Sequence, residues 1–75
     1  IRYTGPEKAA VRVQIYTVLG EKVDELINTE LSPGIYEANW NASRFASGVY
    51  LISVEARPVS GAAGYHTTRK MILLK

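Results

Sequence analysis

The sequence predicts an all-β domain: an immunoglobulin-like β-sandwich of six to seven short antiparallel strands, with a small barrel as the second architecture it would support. Three observations lead there. Apolar and polar residues alternate at period two through most of the chain, as in "AVRVQIYT", and no window of about 11 to 18 residues holds a helical period from end to end. Turn signals built on Gly and Pro recur at intervals of about 8 to 12 residues. Cysteine is absent from the 75 residues, so packing and strand pairing alone must hold a core of this size.

The first strand is expected over residues 1–4, ending at Gly5-Pro6, where proline lacks a donor and fixes φ. The second, over 10–17, places Val11, Val13 and Ile15 on a core face and Arg12, Gln14 and Tyr16 on the other. Gly20 supplies the positive φ of a tight connection into a third strand over 22–27, which makes a hairpin. Pro33-Gly34 turns the chain into a strand over 35–40, whose buried face should carry Tyr36, Ala38 and Trp40, with Trp40 as the central filler of the sandwich. Ser47-Gly48 opens the next strand, over 49–56. There Tyr50, Ile52, Val54 and Ala56 share a face buried throughout, and the opposite face is expected to be covered only near Val49 and Leu51. A loop of small residues, "RPVSGAAG", precedes a last strand over 65–74.

Composition excludes several functions. A net charge of +2 with 21% charged residues gives no basic run suited to nucleic acid, and no apolar stretch reaches the roughly 18 residues of a membrane span. Catalysis needs a nucleophile, acid or base in a cleft, and this chain offers one histidine, no cysteine and scattered carboxylates. His66 has no second histidine or acidic cluster nearby and is read as a surface strand residue. Asp24 and Glu25 are adjacent in a strand and point to opposite faces, which precludes a paired-carboxylate site. The amide and hydroxyl oxygens of "NWNAS", residues 39–43, suit a turn's own backbone better than calcium. No catalytic residue, metal ligand or cofactor is expected. Tyr36, Trp40 and Tyr50 read as core rather than a sugar-stacking platform, and Tyr16 is the one ring expected to face solvent.

The end of the chain, "RKMILLK", sets four apolar residues between basic ones. Met71 and Leu73 share one parity, Ile72 and Leu74 the other, so a closing strand buries only one set unless both of its faces are covered. One set should fill the sandwich, and the other should lie near a sheet edge where a partner can pair; burial of both sets is the competing expectation.

Taken in order, "IRYTGPEKAAVRVQIYTVLGEKVDEL", "SPGIYEANWN", "ASGVYLISVEA" and "RKMILLK" resemble the C-terminal sorting domain of the type IX secretion system, type A, and the related immunoglobulin-like domain of flagellar hook-capping proteins. Ile1, Tyr3 and Pro6 match the opening I-x-Y-x-x-P; Val13, Ile15, Tyr16, Gly20 and Val23 match the hairpin; Gly34 and Trp40 keep their spacing. Ser47, Gly48, Val49 and Tyr50 match S-G-V-Y, and Lys70, Met71, Leu73 and Lys75 match the ending. Thr17 stands where Asp or Asn is usual, which alters how the hairpin turn is capped, and "TGP" replaces the common x-L-P.

The resemblance implies a single non-catalytic domain over residues 1–75 that closes a longer protein. It would cross the periplasm of a gram-negative bacterium, direct an N-terminal cargo through the outer-membrane machinery to the surface or medium, and be removed by a surface, sortase-like protease. It assigns recognition to Gly48, Lys70, Met71, Ile72, Leu73, Leu74 and Lys75, and structural roles to Tyr3, Pro6, Gly20, Gly34, Trp40 and Tyr50. The alternatives are an accessory spacer or carbohydrate-binding module of a secreted hydrolase, and a flagellar hook-cap domain.

Overall fold

In the computed structural model, which describes residues 2–75, the alternation of the second predicted strand organises everything else. Six strands form: β1 (Arg2–Gly5), β2 (Ala9–Thr17), β3 (Lys22–Leu31), β4 (Gly34–Glu37), β5 (Gly48–Pro58) and β6 (Tyr65–Leu73). Ile1, expected to open the first strand, lies outside the described residues. β3, β2, β5 and β6 make a four-stranded sheet in that order, while β1 and β4 pair as a two-stranded ribbon, and every pairing is antiparallel. The fold is therefore the all-β sandwich the alternation predicts, with no helix among the described residues.

β2 is central because both of its edges are paired and its inner face is wholly apolar. Ala9, Val11, Val13 and Ile15 are buried, with Val13 and Ile15 at 0% exposure. Across the ladder Val11 meets Ala56, Val13 meets Val54 and Ile15 meets Ile52, so β5 turns the expected residues inward; Ile52 and Val54 are half-buried rather than buried as expected, because they line an open groove beside β1. The hairpin into β3 turns on Gly20, at φ 89°. Thr17 caps it, its Oγ1 accepting the amides of both Leu19 and Glu21 at 3.3 Å while its own amide donates to the Glu21 carbonyl.

β3 runs to Leu31, four residues beyond the expected end, because it remains opposite β2 as far as Ala9. The pattern "VDELI" does not alternate, and the chain accommodates it with two irregularities of the ladder: Leu26 is skipped between the Ile27–Val13 and Glu25–Gln14 pairs, and Val23 between Asp24–Ile15 and Lys22–Tyr16. An extra residue of this kind bends the strand and resets parity. Leu26 and Ile27 can then both pack on the core.

The ribbon closes the sandwich through two tyrosines and two glycines. Tyr3 stands opposite Tyr36 and Gly5 opposite Gly34. The Tyr3 ring lies over Gly5, where a Cβ would come within 2.9 Å of it, and the two rings stack at 6.4 Å between centroids. Tyr3 joins Ala9, Val11, Val13 and Ala56 in the core cluster, with Tyr36 packed against it and donating its hydroxyl to the Ser32 carbonyl at 2.6 Å.

Trp40 is not the central filler. β4 ends at Glu37, the last pair among the described residues being Arg2 with Glu37, and Trp40 lies outside the strand. It sits half-buried at one end of the sandwich, against Phe45 at 5.1 Å and edge-on to Tyr50 at 5.2 Å, and its Nε1–H donates to Asp24 Oδ2 at 2.9 Å. An indole carries a donor that must be satisfied, and this end supplies a carboxylate where the centre holds only aliphatic groups. The centre belongs to Val11, Val13 and Ile15.

Gly5→Ala should destabilise the domain by about 1–3 kcal/mol in urea melts, because the methyl displaces the buried Tyr3 ring. Gly48→Ala, where nothing lies within 4 Å of an added Cβ, should stay within about 0.5 kcal/mol. Equal effects would refute the role given to Gly5. Ile15→Ala should cost about 2–5 kcal/mol. Trp40→Phe, which keeps an aromatic ring but loses the bond to Asp24, should cost about 1.5–3 kcal/mol.

Candidate recognition surface

The outer face of the four-stranded sheet divides into a polar part and an apolar end. Register sets Asn28, Arg12, Glu55 and His66 in one row, then Glu25, Gln14, Ser53 and Thr68, then Lys22, Tyr16, Leu51 and Lys70, with Val49 and Ile72 last. The polar rows satisfy one another. Gln14 Nε2 donates to Glu25 Oε1 at 2.9 Å, and the half-buried Tyr16 donates its hydroxyl to Gln14 Oε1 at 2.6 Å. The Gln14 bond is the main reason the Glu25 carboxyl sits below its ordinary pKa; the Lys22 ammonium 4.0 Å away and the more distant Arg12 charge add to this, against some desolvation. Asp24 and Glu25 do face opposite sides, since Asp24 stands opposite the buried Ile15.

His66 is exposed, with Nε2 3.1 Å from Ser53 Oγ, on an open sheet face rather than in a cleft. Its cross-strand neighbour Glu55 pairs with Arg57 at 3.5 Å. Asn41 Oδ1 accepts the Ser43 amide, as expected for a self-bonded turn. Among the described residues no three His, Cys, Asp or Glu side chains gather as a metal site would require, and no helix is long and apolar enough to cross a membrane.

β6 brings the predicted recognition residues to one end of the sheet. Met71 and Leu73 lie on the inner face, half-buried, opposite Tyr50 and Gly48. Ile72 and Leu74 are 63% and 83% exposed, so the terminal apolar run is covered on one side only. Lys70 is exposed on the same outer face as Ile72. Lys75 is held: its amide donates to Ser47 Oγ at 3.1 Å and its ammonium to the Ser43 carbonyl at 2.7 Å. Gly48 opens β5 directly beside Leu73.

The expected covering of Val49 and Leu51 does not occur. Val49 is 38% exposed and Leu51 half-buried, because the ribbon packs on the inner face and no element lies over this one. Val49, which stands directly opposite Ile72, extends the exposed patch, although the assignment of recognition residues passed it over. Its parity with Leu51, opposed to Tyr50, was the signal in the sequence that could have found it.

The class is that of small two-layer β-sandwich domains, here with a closing edge strand that displays apolar and basic side chains to solvent. The model of one family, the secretion system C-terminal sorting domain, matches residues 1–73, and the chain belongs to that family. Of the two relatives that the motifs resemble, it is thus the sorting domain that matches. Comparison with curated proteins finds no match, and comparison with solved structures finds none. Membership makes the domain a sorting signal for type IX secretion and the protein that carries it a secreted or cell-surface one, in a family that is not catalytic.

The depressed Glu25 value carries a sign. Its contribution to stability is present above the carboxyl's unfolded pKa and is lost as pH falls through the lower folded value. Gln14→Leu should move the Glu25 titration midpoint upward in a carbon-detected NMR titration. An unchanged midpoint would mean that the bond is not its cause.

Proposed function

We propose that this chain closes a longer protein and exports it: a folded address that directs an N-terminal cargo from the periplasm of a gram-negative bacterium through the type IX outer-membrane machinery, after which a surface, sortase-like protease removes it. The observation that carries this reading is the family match over residues 1–73. The domain performs no chemistry on this reading, and needs no cofactor. What it presents is the end of the sheet where Gly48, Lys70, Met71, Ile72, Leu73, Leu74 and Lys75 converge.

The two faces of β6 divide the labour. Met71 and Leu73 hold the strand on the sandwich, while Ile72, Leu74 and Lys70 remain available to a receptor. Lys75 contributes through its clasp on residues 43 and 47, which fixes where it lies beside Gly48. Exposed apolar groups on an edge strand carry an aggregation hazard, and the adjacent Lys70 is the kind of charge that limits it.

The test is export of a reporter fused between a signal peptide and this chain, in a gram-negative host with a type IX system. The intact fusion should reach the surface or medium, and deletion of residues 71–75 should leave it in the periplasm. Deletion also removes packing, so a second variant, Ile72→Thr with Leu74→Ser, keeps the inner face and β propensity. It should fold normally by circular dichroism yet export several-fold less. Full export of the double variant would reject the outer face as the part that is read, and full export of the deletion would reject the terminus altogether. Lys70→Ala with Lys75→Ala, which should shift stability by no more than about 1 kcal/mol, separates charge from apolar contact.

A further inference from the structure

The four-stranded sheet is wider than the ribbon that covers it. β1 and β4 are two strands on four, and beyond the edge of β1 no described residue covers the inner face of β6 from Tyr65 to Arg69. The result is a groove of about 610 Å³ with β1 on one side and β5 and β6 as floor, where Ile52, Val54, Tyr65 and Thr67 point inward. That volume lies within the roughly 300–1,000 Å³ of ordinary ligand pockets. Tyr65 is 53% exposed here, although its parity is that of the core.

Two further observations say what would fill it. The first concerns edges. β3, the other edge of the large sheet, is interrupted by the irregularities at Leu26 and Val23, whereas β6 pairs regularly over all nine of its residues and contains no proline. β1 likewise has a partner on one side only. The second concerns charge. Arg69 stands on the inner face opposite Ile52, lines the groove, and has no ion-pair partner among the described residues. Arg2 lies at the rim, its cross-strand neighbour Glu37 being on the far strand of the ribbon, and no carboxylate lines the groove.

We propose that this groove accepts a donated strand: an extended segment of a partner protein, alternating apolar side chains with a carboxylate, lies along the free edge of β1 over the inner face of β6. Main-chain hydrogen bonds to an exposed edge supply affinity, and alternate side chains supply selectivity. Inward apolar groups cover Ile52, Val54 and Tyr65, and an inward carboxylate meets Arg69. The sandwich then becomes four strands on three. A second copy is the wrong occupant, because the uninterrupted edges of this chain carry Arg2, Arg69 and Lys70, and self-pairing sets like charges together. The site lies on the opposite face of β6 from the outer patch, and the inference stands independently of export.

The test titrates the isotopically labelled 75-residue chain with a synthetic nine-residue peptide that alternates threonine outward with valine inward, one inward valine replaced by glutamate. A control peptide carries lysine instead. Saturable shifts should appear in the amides of residues 2–5 and 65–69, with at least ten-fold weaker binding of the lysine peptide, and Arg69→Glu should invert that order. No saturable shift at millimolar peptide, or equal affinity for the two peptides, would overturn the proposal. So would the same amides shifting with protein concentration alone, which would seat a second copy in the groove. Failure of the longer protein proposed above to take the peptide while its β1 edge is protected would assign the groove to its own preceding segment, and would overturn it too.

Discussion

The stacking of Tyr3 on Tyr36 above two paired glycines is the interaction on which the sandwich depends. A two-stranded ribbon is marginal in water, so β1 and β4 persist only by packing on the larger sheet. That sheet in turn keeps Val11, Val13 and Ala56 dry only while the ribbon covers them. Gly5 leaves the space the Tyr3 ring occupies, and the rings supply the apolar area that glycine cannot. Each layer is thus conditional on the other, in a domain whose fully buried large side chains are Ile15, Val11 and Val13.

Much of this fold was legible in the sequence where one physical rule acted alone. β2 and β5 obey strict alternation and are flanked on both sides, so parity assigned every inner residue correctly from Val11 to Ile15 and from Tyr50 to Ala56. The opposed directions of Asp24 and Glu25 and the exposure of His66 followed from the same period. Legibility failed where a second rule competed. In β3 two extra residues reset the parity, so neither its length nor the packing of both Leu26 and Ile27 follows from counting. β4 ends before Trp40, and a position that alternation sent to the core meets a carboxylate instead.

The candidate site shows the same division. Opposite parities of Met71 and Leu73 against Ile72 and Leu74 were evident from the sequence, as was the need for one set to be uncovered if nothing lay on the outer face. What no local pattern could convey is the width of the covering layer. A ribbon of two strands on a sheet of four leaves β6 open on its inner side from Tyr65 to Arg69, and among the described residues no strand lies over the outer face at Val49. An exposed apolar set at the end of a marginal domain is a standing aggregation liability.

The clasp of Lys75 on residues 43 and 47 joins the last residue to a loop some thirty positions earlier, and that loop also holds Phe45 against Trp40 and offers the Ala46 carbonyl to the Tyr50 hydroxyl at 2.7 Å. Residue 75, the loop and the aromatic cluster are thereby tied into one unit, so loosening any one of them is felt by the other two.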